Sequence, residues 1–414
     1  MDVDVESLKG MRIVRMLLPW REKLDSGFGT SHGNADLQLI DVLMVMLAAF
    51  YNPLARSQRC IEAISRQAHV REQTGVSRVP RSTLSDALRR FDPEQLRPLI
   101  EEMVAKIPAL RRRDADLESI TRQIIALDGS YFTLMGEAAW ALTSPARNDD
   151  GSLRRDQLRL NLQLDVERFA PIDCDLSGAD DSTEAKAFIR RLKSNVIYVA
   201  DRNFIHFEFI NAIFKKESNL VLRLKKSNRF DVTESRELDE ADRMHGVMSD
   251  EIGHLPGAKS AGNENHRSFT SKPPVKMLRR VTIWDEKNQT KLILLTDLMD
   301  VPARVIGVIY RMRWQIELFF KWLKCWASFD HMISRDPRAL TLHFYVAVIA
   351  TLLTHITTGR KLSKYSLLYL SLVSQGLMSW QDMEEGMAVI EREKELERIR
   401  LAKKRAERAS KTSH

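Results

Sequence analysis

The chain has 414 residues, a length that favours two or three domains, and its apolar content of 44% is enough for a sizeable core. Its net charge of +8 and pI near 9.3 favour a polyanionic partner such as nucleic acid, although a merely basic protein fits them equally well. The three cysteines are too widely spaced for a disulfide framework or a zinc motif. No apolar run reaches the roughly 18–20 residues of a membrane span, and the N-terminus lacks the basic start of an export signal. A reducing, cytoplasmic setting is therefore expected.

Residues 1–118 are interpreted as a helical domain that binds DNA. Apolar residues recur at helical spacing over 37–47, which predicts an amphipathic or buried helix. Within 76–91, Pro80 breaks the chain and Ser82 can cap a new helix with outward-facing arginines. The pattern fits either the second half of a helix-turn-helix or an ordinary solvated helix, and phosphate contact is better supported than base recognition.

Residues 119–227 change to a strand-rich pattern and form the first part of a predicted core. The predicted elements are a strand that runs into a turn around Asp128, strands at 158–166 and 170–177, a helix at 182–192, a strand at 195–204 that ends at Asp201, a helix at 207–214 and a strand at 219–226. This order suits a mixed sheet with helices packed on it.

The remaining chain divides into three parts. Residues 228–300 begin with polar, loop-like sequence that includes 257–268, continue with strands at 276–286 and 290–298, and are interpreted as a β-rich insertion. Residues 301–375 are helical and complete the core, and residues 376–414 form a charged helix with a basic tail.

Asp128 and Asp201 are candidate functional residues because each ends a run of apolar strand sequence. Carboxylates at strand ends emerge at the rim of the sheet, where ligands bind in open α/β sheets. A single aspartate in such a place is more often a turn residue or a helix cap. Two of them in one sheet, followed by a glutamate on a later helix, favour a functional site.

The segment 309–326 predicts one helix with adjoining polar and apolar stripes. At about 100° per residue, four polar side chains fall within roughly 60° of one another: Tyr310, Arg313, Glu317 and Lys324. An adjacent apolar stripe would seat the helix on the sheet and consists of Ile309, Ile316, Phe320 and Leu323. A solvated face, with Arg313 and Lys324 paired to Glu317, is the simpler alternative.

Three carboxylates would suit the chemistry of phosphodiester cleavage and joining. Both reactions are in-line displacements that two metal ions about 3.5–4 Å apart can assist. Mg²⁺ prefers oxygen ligands, and three carboxylates with one shared between the metals meet that need. Arg313 and Lys324 would then contact phosphates rather than pair with Glu317, and Tyr310 would donate a hydrogen bond.

A family resemblance agrees with this chemistry. The spacing Tyr-x2-Arg-x3-Glu-x6-Lys that starts at Tyr310 resembles the signature of DDE transposases of the insertion-sequence-four family. The motif LDGS around Asp128 resembles the first aspartate strand of that family, and YVADRNF around Asp201 resembles the second. The long segment between Asp201 and Glu317 resembles the β-rich insertion of these enzymes. The resemblance covers about residues 120–330, whereas the N-terminal region fits only loosely.

The resemblance implies a fold and a metal site. The fold would be α/β, with an RNase H-like mixed sheet flanked by helices, interrupted by a β-rich insertion and preceded by an N-terminal helical domain. Two Mg²⁺ ions, for which Mn²⁺ could substitute, would be bound by Asp128, Asp201 and Glu317.

The resemblance also implies contacts to the DNA end, which would be held by Tyr310, Arg313 and Lys324. Trp284 would stack on a flipped base, or it is a core or hairpin-face aromatic. Arg202 would touch phosphate or pair with a nearby carboxylate. Three other tryptophans are interpreted as packing residues: Trp314, Trp322 and Trp326.

The implied function is metal-dependent cleavage of DNA ends followed by strand transfer, as in cut-and-paste transposition of an insertion sequence. The partners would be double-stranded DNA, both the terminal repeats of the element and the target, and a second copy of the chain in the synaptic complex, with no membrane. Two alternatives remain open. One is a catalytically inactive or domesticated transposase that still binds DNA, and the other is an RNase H-like nuclease that cuts without joining.

Overall fold

The computed structural model of the protein describes most of the chain. The described residues are 17, 37–52, 55, 57–76, 78–108, 117–118, 120–133, 157–177, 184–256, 273–274, 276–325, 333–360, 363–375 and 377–412. The predicted loop 257–268 and Trp326 lie outside the described residues, as do the first two residues of the predicted helix 182–192.

The described N-terminal part is helical, as predicted. Its helices are α1 (Leu39–Phe50), α2 (Gln58–Ser65), α3 (Ala68–Thr74), α4 (Arg81–Arg90) and α5 (Arg97–Lys106). The helix predicted over 37–47 is α1, and its residues from Leu39 to Ala49 are all buried because its sequence is apolar on every side. The helix therefore forms the centre of this region rather than its surface.

Helix α4 begins two residues earlier than the sequence analysis expected. Pro80 occupies the N-cap position without a side-chain hydrogen bond, so Ser82 lies in the first turn and is not the cap. Proline suits this position because its fixed φ prepares the chain for the helix and its missing N–H is not needed. Leu84 and Leu88 are buried on one face, as predicted, while the arginines of the segment are exposed.

A single mixed sheet of nine strands forms the framework of the described fold. The strands are β1 (Gln123–Thr133), β2 (Gln157–Asp165), β3 (Ala170–Ser177), β4 (Val196–Ala200), β5 (Asn219–Arg223), β6 (Asp231–Ser235), β7 (Val247–His254), β8 (Leu278–Asp285) and β9 (Thr290–Thr296). Their spatial order is β3-β2-β1-β4-β5-β9-β8-β7-β6. Strands β1, β4 and β5 are parallel, and the other neighbours are antiparallel. The mixed α/β class is thereby confirmed.

The prediction that Asp128 marks the end of its strand is wrong. Strand β1 continues through Asp128 to Thr133, and Asp128 pairs with Leu162 of β2. The strand continues because β2 runs beside it and supplies backbone hydrogen-bond partners. On the other side of β1, the neighbouring strand β4 ends at Ala200. Asp128 therefore lies just beyond the last residue of β4, at the rim of the sheet.

Strands β6 and β7 were not predicted, because their segment is polar and resembles a loop. Four of the five side chains of β6 are exposed, and β7 mixes exposed with buried positions, so neither shows the apolar pattern of a core strand. Strand β9 pairs with β5, which makes β6–β9 a continuation of the same sheet. The predicted domain boundaries at 227 and 300 remain predictions.

Two apolar layers cover the faces of the sheet. One face packs on the short helices α6 (Glu184–Ile189) and α7 (Phe207–Lys215), to which residues such as Phe188 and Ile210 contribute. A further short helix, α8 (Glu240–Met244), precedes β7. The opposite face packs on three later helices: α9 (Ala303–Met312), α10 (Trp314–Cys325) and α11 (Pro337–Thr358). The last helices are α12 (Lys364–Ser374) and α13 (Trp380–Thr412).

Helix α11 is the one described helix that is long and apolar enough to cross a membrane. It has 22 residues, more than the sequence analysis expected of any apolar run, and 83% of its most apolar window is buried inside the protein. It contacts α1, α5 and β3, as expected of the central helix of a folded core.

Candidate active site

Asp128 and Asp201 lie in one row across the parallel part of the sheet. The pairing register of β1 with β4, continued two residues beyond the Ala126–Val199 pair, places Asp201 beside Asp128. The register of β4 with β5 places Arg223 on the other side of Asp201. Because residues in one row of a parallel sheet project from the same face, two carboxylates and a guanidinium are brought together. Arg223 was not singled out from the sequence, although its position at the end of β5 is the signal that identified Asp201.

Asp201 also caps the turn that follows β4. Its Oδ1 accepts a hydrogen bond of 2.6 Å from the backbone N–H of Asn203, at the start of the short 3-10 helix Arg202–Phe204. The capping role fixes where the carboxyl group lies. Arg202, the next residue, is exposed.

The predicted single helix through residues 309–326 is two helices that meet at Arg313. Helix α9 ends at Met312 and α10 begins at Trp314, with hydrogen bonds of 3.1 Å from Arg313 N–H to Tyr310 and from Ile316 N–H to Arg313. These bonds between residues three apart tighten the chain at the junction. The predicted apolar stripe is nonetheless confirmed, since its four members are all buried: Ile309, Ile316, Phe320 and Leu323.

Arg313 joins the row of aspartates to Glu317. Its Nη2 lies 2.5 Å from Glu317 Oε1, and its Nη1 lies 3.9 Å from Asp128 Oδ2. The guanidinium also lies over the ring of Tyr310, 5.6 Å from the ring centre. In this structure Arg313 is thus a salt-bridge partner of Glu317, the simpler alternative of the sequence analysis, because the carboxylate lies one helical turn away. Its contact with a phosphate remains a prediction.

The electrostatics of Asp128 show how close the acidic groups are. Burial raises its pKa to about 6, Arg313 and the Gly129 N–H act in the opposite direction, and Glu317 and Asp201 raise it further. Its Oδ1 accepts a hydrogen bond of 2.9 Å from the Gly129 N–H. The carboxyl groups of Glu317 and Asp201 thus act on Asp128 beside the Arg313 guanidinium, an arrangement that would favour a bound cation.

Glu184 is a fourth acidic residue beside this group and was missed from the sequence. It lies in the first turn of α6. Its Oε1 lies so close to the backbone of Gly129 that a side chain at that position would overlap it. Burial, together with the charges of Asp128 and Asp201, raises its pKa to about 7, while Arg159 and a hydrogen bond from the Gly129 backbone N–H act in the opposite direction. No sequence signal distinguished Glu184 from an ordinary glutamate near a helix start.

A pocket of about 980 Å³ adjoins Arg313. Tyr310, Trp284 and Trp314 are among its lining residues, and so are four arginines: Arg223, Arg243, Arg311 and Arg313. The side chain of Trp284 is 37% exposed and that of Trp314 is 56% exposed. The interpretation of Trp314 as a packing residue is therefore wrong, because its position at the helix junction turns it outward, whereas Trp322 is buried as predicted.

Lys324 lies farther along α10. Its Nζ is 5.1 Å from the centre of the Phe132 ring, and the structure places it there rather than in an ion pair with Glu317. Partial burial lowers the pKa of Lys324, while Cys325 and Asp128 act in the opposite direction. The side chain is exposed, so its ammonium group is accessible to a ligand that approaches Asp128.

The side chains do not form a completed metal site in this arrangement. Within the described ranges, no three His, Cys, Asp or Glu side chains are grouped closely enough to hold a metal ion. Glu317 is paired with Arg313, which also approaches Asp128. Metal binding by these residues would therefore require Glu317 to exchange partners.

The chain is similar to known transposases. A family model described as "Transposase DDE domain" matches residues 120–353. The "Putative transposase y4zB" of Sinorhizobium fredii is 25% identical over 199 residues, which cover 48% of this chain and 53% of that protein. The "Putative transposase for insertion sequence element IS4SA" of Synechocystis is 21% identical over 311 residues, covering 72% of this chain and 77% of that protein.

A solved structure also matches. It is the Mos1 transposase paired-end complex with left transposon end, at 15% identity and a TM-score of 0.19, covering 50% of this chain and 66% of that chain. A TM-score this low does not establish a shared fold. The chain spans about half the length of the Sinorhizobium relative.

Proposed function

The chain belongs to the transposase DDE domain family, whose model covers more than half of its residues, and on this premise we propose that it is a DNA transposase. It cleaves the ends of a DNA element with the aid of divalent metal ions and transfers the cut strands to target DNA. The catalytic carboxylates are Asp128, Asp201 and Glu317.

The observation that carries the proposal is that these three residues, from distant parts of the chain, lie close enough for two of them to act on the third. Two of them share a row on neighbouring parallel strands, and the third comes from the helix packed on β1. The charges of Glu317 and Asp201 both act on Asp128. A solvated helix face would not bring Glu317 to the row of aspartates.

The residues present fit a divalent metal, even though Glu317 forms an ion pair with Arg313 in this structure. Every donor is a carboxylate oxygen, the ligand type that Mg²⁺ and Mn²⁺ take. The repulsion that raises the pKa of Asp128 is the kind of interaction that a cation relieves. When bound, two such ions would activate the attacking oxygen and stabilise the leaving one.

The cationic residues around the carboxylates would hold the DNA end. Arg313 exchanges Glu317 for a phosphate, Lys324 contacts a second phosphate, and Tyr310 donates a hydrogen bond. Arg202 is exposed beside Asp201 and contacts the backbone of the same DNA.

The pocket beside Arg313 would accept an extruded base. Trp284 and Trp314 are both exposed and both line it, so each offers an aromatic face for stacking. The arginines of the pocket would neutralise the phosphates on either side of that base.

Finer assignments follow from the same proposal. The five strands in the order β3-β2-β1-β4-β5 are the RNase H-like core, and β6–β9 are its insertion. The chain is a member of the insertion-sequence-four group, acts in the bacterial cytoplasm and binds double-stranded terminal repeats and target DNA. Because two ends are synapsed, it works as a homodimer on DNA.

The test is a cleavage and strand-transfer assay with Mg²⁺ on DNA fragments from the flanks of the gene. Glu317→Gln keeps the size of the side chain but removes its charge. We expect cleavage to fall by at least about 100-fold, since second-shell changes alone reach that size, while binding of the DNA ends in a mobility-shift assay changes little. Glu208→Gln, at an exposed position on α7, is the matched control and should cleave like wild type.

Other outcomes would separate the alternatives. Full cleavage by Glu317→Gln would show that the third carboxylate is assigned wrongly. Cleavage without joining by the wild type would support a nuclease. End binding without cleavage would support an inactive DNA-binding derivative.

A further inference from the structure

Glu184 reaches the proposed active site from the opposite side of the sheet to Glu317. It lies on α6, which packs with the apolar layer that includes Phe188, whereas Glu317 lies on α10 in the other layer. Its side chain ends beside the backbone of Gly129, the residue that follows Asp128 in β1.

The structure gives two reasons why the carboxyl group can lie there. Strand β4 ends at Ala200, so β1 has no neighbour on that side at the level of Gly129. Gly129 has no side chain, and a Cβ atom in its place would overlap Glu184 Oε1 and lie 3.1 Å from Arg159 Cδ. The glycine of the LDGS motif therefore leaves room for the carboxyl group of Glu184.

The position of this carboxyl group is costly unless a ligand or cation compensates it. Oε1 is buried and has no hydrogen-bond partner among the described residues. A buried polar atom without a partner destabilises the folded state, and nearby negative charge adds to that cost. Asp128 and Asp201 supply such charge, and Arg159 and a hydrogen bond from the Gly129 backbone N–H to the carboxyl group oppose it only in part, since the pKa of Glu184 stays raised at about 7.

We propose that Glu184 is a further metal-binding carboxylate of the site formed by Asp128, Asp201 and Glu317. The inference rests on the proposed function. A role in the first turn of α6 alone would be served by an exposed side chain, and it does not explain an oxygen buried next to Asp128. A buried carboxylate oxygen such as Oε1, close to two other carboxylates, is a ligand that a divalent cation can use.

The test measures Mn²⁺ binding to the full-length protein without DNA, by titration calorimetry and by electron paramagnetic resonance. We expect Glu184→Gln to weaken binding by about tenfold or more, in the range found when groups around a metal site are removed. Glu208→Gln removes one negative charge at an exposed position and should stay within about twofold of wild type. Asp128→Asn reports on the site itself and should also weaken binding.

A second variant moves the carboxyl group without removing it. Gly129→Ala keeps all four acidic residues but displaces the Glu184 carboxyl group, so it should weaken Mn²⁺ binding as well. Combined with Glu184→Gln, it should have a less than additive effect, because both changes act through the same group.

The outcomes separate this inference from the proposed function. If Asp128→Asn weakens binding but Glu184→Gln does not, Glu184 is structural and the inference is overturned, while the three-carboxylate site stands. If wild type binds no Mn²⁺, or Asp128→Asn binds it equally well, both the metal site and the inference fail. Unchanged melting temperatures in Glu184→Gln would confirm that any loss of binding is not a loss of fold.

Discussion

Asp128 illustrates the conflict between folding and function at a single residue. Its carboxyl group is largely buried, lies near two other acids and approaches one guanidinium at 3.9 Å. A hydrogen bond from Gly129 offsets only part of the burial. An ionised Asp128 should therefore destabilise the metal-free protein, which is common at sites that must bind cations.

The pKa of Asp128 predicts a pH-dependent effect of Asp128→Asn. Because the pKa of Asp128 is higher in the folded state than in the unfolded one, its protonated form stabilises the fold at low pH. That contribution is lost as the pH rises through about 6. In EDTA, Asp128→Asn should therefore be more stable than wild type by roughly 1–3 kcal/mol at pH 8, with a smaller difference at pH 5. Urea unfolding at the two pH values measures this.

Asp285→Asn is the control for that prediction, because hydrogen bonds from Asn288 lower the pKa of Asp285. The contribution of Asp285 is present above its ordinary pKa and is lost as the pH falls through the lowered one. Its substitution should therefore have the opposite sign at pH 8. An effect of Asp128→Asn that is the same at pH 5 and pH 8 would contradict the assignment of the shift to ionisation.

Helices α9 and α10 show which features of an element its sequence can predict. The spacing of apolar residues located the buried face, and the polar spacing located Glu317, because both depend on local helix geometry. The break at Arg313 depends on tertiary contacts: α9 rests on β5, β8 and β9, whereas α10 rests on β1 and β2. Strands β6 and β7 were missed for a similar reason, since their pairing with neighbours, and not their composition, makes them strands.

The close approach of α9 to β8 gives a test at the scale of these elements. A Cβ atom on Gly307 would lie 2.5 Å from Ile283 Cδ1, so the helix approaches the strand at a glycine. Gly307→Ala should add about 1 kcal/mol to the free energy of unfolding through its higher helix propensity. The extra methyl group should also cost about 1–3 kcal/mol, because it overpacks this contact. We expect it to be neutral or destabilising in wild type.

Ile283→Val removes the Cδ1 atom and should reverse that sign. In the Ile283→Val background, Gly307→Ala should stabilise the protein by up to about 1 kcal/mol, because only the propensity gain remains. A double-mutant cycle on unfolding free energies measures the coupling. Additive effects would mean that the two residues are not in contact.

A partly buried ionic network, centred on the buried Asp173, joins the N-terminal helices to the sheet and to α11. Asp173 of β3 lies 2.8 Å from Arg97 of α5 and 3.2 Å from Arg191. Glu94 receives a hydrogen bond of 3.0 Å from the Tyr345 hydroxyl of α11. The sequence analysis could locate the helical region and the sheet but not this junction, because its residues come from four distant segments.

Asp173→Ala should therefore destabilise the whole described fold. We expect a loss of about 2–4 kcal/mol in urea unfolding, since two half-buried arginines lose a buried partner, and faster amide exchange in both α5 and α11. Asp175→Ala removes a more exposed member of the network, 2.9 Å from Arg191, and should cost less than about 1 kcal/mol. Equal costs for the two variants would show that the buried junction does not hold the parts together.

The wide separation of the acidic residues along the chain has a consequence for synthesis. Asp128 and Asp201 leave the ribosome long before Glu317, and β9, which pairs with β5, lies between them and Glu317. A nascent or prematurely terminated chain that stops before α10 holds at most two of the three carboxylates. Under the proposed function, such fragments could still bind DNA but could not cut it, so the order of translation would by itself protect the host chromosome from incomplete products.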